Sequence, residues 1–149
     1  MSTRHKGRKR ALDVLYAADM RELPLPQLLE EEAARAEKEP AREGSWVFAR
    51  EILDGVVTHS RAIDEDIAAT SSWPMERMPA IDRAILKLAT AELLVHTDIP
   101  EAVIIAEAGE LASEYSTEES RGFIQGVLGA LVQKLRPFSS ASVSWRHPP

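Results

Sequence analysis

Between Ala80 and His96, the residues Ile81, Ala84, Ile85, Leu86, Leu88, Ala89, Leu93, Leu94 and Val95 recur at helical spacing and wrap most of a helix's circumference. Only a narrow polar strip at Arg83, Lys87 and Thr90 interrupts them. A helix that is apolar nearly all round must be covered by several neighbours, so this segment is the expected centre of the fold. No stretch between turn signals alternates apolar and polar residues as a half-buried strand does, so those neighbours are helices too. A chain of 149 residues is long enough for one domain with a real core. The fold class read from this pattern is all-α.

The other helices follow from the same periodicity and its punctuation. The spacing predicts a first helix from about Arg8 to Arg21, ended by Leu23-Pro24-Leu25-Pro26, and a polar second helix from about Gln27 to Glu39 whose acidic face, Glu30-Glu31-Glu32, is solvated. Ser45 is the candidate cap of a long third helix with Ala49, Ile52, Leu53, Val56, Ile63 and Ile67 inward, closed by Ser71-Ser72-Trp73-Pro74. After the central helix, Ile99-Pro100 opens a fifth. Ser116 with Glu119 forms a capping box for a sixth that runs to about Leu135. Gly122, Gly126 and Gly129 share one face of that last helix, where each costs about 1 kcal/mol relative to alanine, so a close approach by a neighbouring helix is expected there. From Pro137 to Pro149, the serines around Ser140 and the closing prolines read as a loose tail.

Charge is distributed very unevenly. Arg4, Lys6, Arg8, Lys9 and Arg10 lie in the first ten residues without an acid, whereas the chain as a whole carries −6. Cations at the start of a helix oppose its dipole at roughly 0.3–1 kcal/mol each, so helix stability does not account for the cluster and an external polyanion does. A solvated basic tail is the other reading. The chain has no cysteine, which excludes a disulfide framework, a thiol nucleophile and a zinc finger. His5, His59, His96 and His147 are scattered, and no glycine-rich stretch has the context of a phosphate loop, so neither a metal site nor a cofactor is expected. The carboxylates Glu107 with Glu110, and Asp64-Glu65-Asp66, read as solvated helical faces, and no catalytic residue is nominated. No run reaches the roughly 18 apolar residues of a membrane span, and a cytoplasmic location is expected.

Taken in order, the basic start running into Ala11-Leu12-Asp13-Val14-Leu15-Tyr16, then Ile81-Asp82-Arg83-Ala84-Ile85-Leu86-Lys87-Leu88-Ala89, then Ile99-Pro100, resemble the NusB transcription antitermination family. Glu107-Ala108, Glu110-Leu111-Ala112 and Ser120-x-x-Phe123-Ile124-x-Gly126-Val127-Leu128 are similar to that family's C-terminal signature. The resemblance spans about Arg4 to Leu135 and implies one NusB-like domain over residues 1–136, with six to seven helices in two packed bundles. It implies a non-enzymatic factor that binds the boxA element of nascent ribosomal RNA together with NusE, a small-subunit ribosomal protein. The pair would join other Nus factors on RNA polymerase to prevent premature termination.

By the same resemblance, the RNA-binding residues are Arg4, Lys6, Arg8, Lys9, Arg10, Arg121 and Phe123, and the partner-facing residues are Tyr16 and Asp82. Phosphates suit the cations and an unpaired base suits Phe123, whose other reading is core packing. Ala106 and Gln125 stand where the family commonly has asparagine, and Gly129 where it has an acid. A protein-interaction module, whose basic start meets an acidic partner or a second copy of the chain, is the alternative function. An accessory domain of an RNA methyltransferase is a third, for which this chain has no room for the catalytic part. Two consequences follow from the assignments. Arg8→Ala with Lys6→Ala should weaken RNA binding without loss of stability, and Asp82→Lys should impair partner binding more than RNA binding.

Overall fold

The computed structural model describes residues 2–137; the expected tail beyond them lies outside the described residues. Seven α-helices make up the fold: α1 (Thr3–Arg21), α2 (Leu25–Ala36), α3 (Glu43–Thr58), α4 (Ser60–Thr70), α5 (Ala80–Val95), α6 (Glu101–Tyr115) and α7 (Glu118–Leu135). Short 3-10 turns at Pro40–Arg42 and Met75–Arg77 join them, and the described residues contain no strand. Helix α5 is central, packing on α1, α3, α4, α6 and α7. Helices α1, α2 and α3 pack together on one side of it and α4, α6 and α7 associate on the other, giving two bundles that share one helix.

The core follows the apolar pattern. Ile85, Leu86, Leu88 and Leu93 of α5 are covered together with Leu12, Ile52 and Leu53 from one bundle and Ile104, Leu111, Ile124 and Leu128 from the other. Each such side chain contributes about 1.5–3 kcal/mol on burial. Thr90 departs from the expected polar strip: it is fully covered, and its hydroxyl donates to the Leu86 carbonyl at 2.7 Å. Arg83 remains at the rim, donating to the Met75 and Met78 carbonyls and to Asp19. Arg136, just past α7, closes the other end of α5 by donating to the carbonyls of Leu93, His96 and Ile99. A helix end and the turn after it leave such carbonyls short of backbone donors, although the His96 carbonyl also accepts from the Ile99 N–H at 3.0 Å.

Several boundaries differ from the sequence reading for identifiable reasons. Helix α1 begins at Thr3, five residues early, because the Ser2 side chain accepts from the His5 backbone N–H at 3.0 Å and caps it. Helix α2 begins at Leu25 with Pro26 in its first turn, where a missing N–H costs nothing, so the second proline starts a helix rather than breaking one. Its acids are not merely solvated: Glu30, Glu31 and Glu32 pair with Arg50, Arg21 and Arg10. The long third helix is two helices, divided at His59 after the β-branched run Val56-Val57-Thr58. Val56 and Ile63 both face inward across the division, so the periodicity passes over it unchanged. Ser45 lies inside α3 rather than capping it. Thr117, not Ser116, caps α7, accepting from the Ser120 N–H at 3.0 Å.

The three glycines on α7 have no close neighbour. A Cβ added at Gly122, Gly126 or Gly129 would meet nothing within 4 Å, which overturns the expected helix approach there. Close approaches occur at other glycines, and the one against backbone is at Gly7, where a Cβ would lie 2.8 Å from the Phe48 ring and 2.9 Å from the Ser45 carbonyl oxygen. Gly7 therefore lets α1 lie directly on α3, in the middle of the basic run.

Candidate nucleic-acid interface

Because α1 is helical from Thr3, the basic run is wound around a helix and its members point in different directions. Arg8 points inward. Its Nε and Nη2 each donate at 2.7 Å to the two carboxylate oxygens of Glu92 on α5, a two-point ion pair whose side chains are 3% and 1% exposed. Phe48 lies beneath the guanidinium, 5.2 Å from ring centre to Cζ. His5 Nδ1 and Glu107 Oε2 on α6 are 2.6 Å apart. Arg10 turns toward α3, donating to the Arg42 carbonyl and the Ser45 hydroxyl and lying over the Trp46 ring.

The other three cations stay at the surface. Lys9 Nζ donates to Glu114 Oε1 at 2.7 Å and sits 5.7 Å from the ring centre of the exposed Tyr115. That hydrogen bond is the main cause holding Lys9 above the ordinary lysine pKa and Glu114 below the ordinary carboxylate value. Arg4 is loosely held, 4.0 Å from an exposed Asp98. Lys6 is exposed, and its side chain has no hydrogen-bond or ion-pair partner among the described residues.

The start of α7 supplies the second part of the surface. Arg121 donates to Glu110 at 3.2 Å and to the Ser113 hydroxyl at 3.0 Å, both on α6. Phe123 is half-buried against the core, with its ring 5.6 Å from that of Trp73. Trp73 is 55% exposed, and its sequence context places it only in a loop. A large aromatic held in a Ser/Pro turn with no apolar periodicity around it was the available signal. Glu110 and Glu114 lie one turn apart on α6, so the cations they hold, Arg121 from α7 and Lys9 from α1, meet along one edge of the molecule.

The two partner-facing nominations separate. Tyr16 is 39% exposed on α1, one turn from the exposed Met20. Asp82 is 2% exposed, and its two carboxylate oxygens accept from the Ser116 and Ser120 hydroxyls at 2.7 Å each. Its position points to a clamp on the turn between α6 and α7 rather than a docking contact, and it explains why Ser116 does not serve as the helix cap. Gln125 donates to the Ile105 carbonyl at 3.3 Å, an internal contact, while Ala106 is exposed.

Among the described residues no group of three His, Asp or Glu side chains could hold a metal ion, and no helix is long and apolar enough to cross a membrane.

Comparison with known proteins agrees with the resemblance read from the motifs. A model of the NusB family matches residues 5–133. A transcription antitermination protein NusB of Leifsonia xyli subsp. xyli is 49% identical over 134 residues, which cover 89% of this chain and 93% of that relative. One from Clavibacter sepedonicus is 49% identical over 132 residues, covering 88% and 96%. Among solved structures, T. maritima NusB superposes with a TM-score of 0.72 at 29% identity, covering 97% of each chain. A chain from a crystal structure of the antitermination factors NusB and NusE in complex with double-stranded RNA gives 0.74 at 26% identity, covering 90% of this chain and 98% of that one. With its motifs in order and nearly half of its residues shared with such relatives, the chain belongs to the NusB family.

Proposed function

We propose that this protein is a transcription antitermination factor that binds RNA of the boxA type together with NusE, as part of a larger assembly on RNA polymerase. Family membership along residues 5–133 carries this reading. Similarity to a NusB chain solved with NusE and RNA supports both partners. On this chain, the phosphate contacts are assigned to Arg4 and Lys6, which are free to leave the surface, and to Lys9 and Arg121 along the α6 edge. Phe123 and Trp73 form the aromatic step on which an unpaired base can stack. Arg8 and Arg10 hold α1 in place and are not counted among the RNA contacts. Tyr16 remains the assigned NusE-facing residue, while Asp82 acts from beneath the surface.

The test is a titration of fluorescent boxA-like RNA and a scrambled control, with and without NusE, at several salt concentrations. Expected are a preference for boxA that strengthens with NusE and a log–log salt slope of about −2 to −3, from three or four phosphates at roughly 0.7 each. Equal and weak binding to both RNAs, unchanged by NusE, would leave a protein-interaction module with a basic start.

A further inference from the structure

Helix α6 carries three carboxylates on the side that meets the basic segments, and two of them are placed against the helix's own preference. Glu110 and Glu114 are like charges at i, i+4, which repel. Glu114 also lies in the last turn, where the negative end of the helix dipole disfavours an anion. Each holds one cation from a different helix: Glu114 takes Lys9 of α1 and Glu110 takes Arg121 of α7. Glu107, a turn earlier, is different in kind, since it serves His5 and lies 3.9 Å from the buried Arg8. The outer two are well exposed, at 44% and 60% of their side-chain surface, so their ion pairs are screened and exchangeable.

We infer that Glu110 and Glu114 act as a built-in competitor for RNA phosphate, holding Lys9 and Arg121 in the free protein and releasing them when RNA arrives. A carboxylate and a phosphate offer the same thing to an ammonium or guanidinium group, an anionic oxygen acceptor. The two therefore exclude each other at a given donor. The penalty is common to every RNA that uses these two cations. It lowers weak, sequence-independent binding toward negligible occupancy, while the ratio between well and poorly matched sequences stays the same. This inference rests on the proposed assignment of RNA to the α1 and α7 starts, and it concerns how that surface is regulated.

The experiment compares wild type with Glu110→Gln/Glu114→Gln, using boxA-like and scrambled single-stranded RNA at several salt concentrations, with thermal melts of both proteins. The double variant should bind both RNAs more tightly by the same factor, roughly two- to tenfold for two released surface pairs. Its salt slope should be somewhat steeper, because wild type loses part of its competing ion pairs to screening as salt rises and the variant has none to lose. Removing negative charge anywhere would raise RNA affinity somewhat, so a cycle isolates the pair. Lys9→Gln should cost more RNA affinity in the Glu114→Gln background than in wild type. Wild type that binds RNA while the double variant binds no better, or a cycle with no coupling, overturns the competitor role alone. Wild type that binds neither RNA overturns the RNA assignment and this inference together.

Discussion

Arg8 and Lys6 are two residues apart in one basic run, yet one is sealed against Glu92 and the other is exposed. The expectation that replacing both would leave stability untouched therefore does not survive for Arg8. Arg8→Ala leaves the Glu92 carboxylate buried without its partner, a change that costs about 3–5 kcal/mol. Chemical denaturation should show a loss of that size, and Arg8→Lys should restore only part of it, because an ammonium cannot reproduce the two parallel hydrogen bonds of the guanidinium. Full stability of Arg8→Ala would mean that the Arg8–Glu92 pair contributes nothing to the fold. Asp82 carries the same lesson. Its family-matched position suggested a partner contact, but Ser116 and Ser120 occupy both of its oxygens, so Asp82→Lys would disturb the α6–α7 turn before it tested any partner.

Among the helices, α5 was the most legible in sequence, because an apolar pattern on nearly every face admits only a central position, and α5 does contact five others. The start of α1 was the least legible. Its register is set by a serine cap and by carboxylates on α5 and α6, more than eighty residues away, and no local pattern reveals such partners. The break at His59 was hidden because the apolar spacing continues across it. On α7 the local argument failed in the opposite direction: three glycines looked like a packing groove and face open space. That makes them simple liabilities of helix entropy. Gly126→Ala and Gly129→Ala should each stabilise the protein by about 0.4–1 kcal/mol. Gly7→Ala should destabilise it, since the Ser45 carbonyl cannot yield to a methyl group as the end of a flexible side chain would. A thermal melt of each variant checks both signs, and a loss at Gly126 or Gly129 would show that something packs on that face after all.

For the molecule as a whole, the two-bundle fold brings Lys9 of α1 and Arg121 of α7 to neighbouring carboxylates at the end of α6. The acidic remainder of the protein then neutralises much of the basic run. Family motifs made this arrangement legible in outline, since the cations and Phe123 were nominated together from positions about 115 residues apart. The division of labour among the cations was not legible, because burial and pairing emerge only when α5 and α6 are in place. The central claim is that the RNA-contacting part of the basic run is the part left at the surface, with Arg4 and Lys6 the least tightly held. The most direct measurement is the boxA-type RNA affinity and salt slope of Arg4→Ala/Lys6→Ala against wild type, with melting temperature as the control. The account predicts weaker RNA binding and a slope shallower by about 1.4, from two lost phosphate contacts at roughly 0.7 each, with an unchanged melting temperature. Undiminished RNA binding by that variant would contradict it.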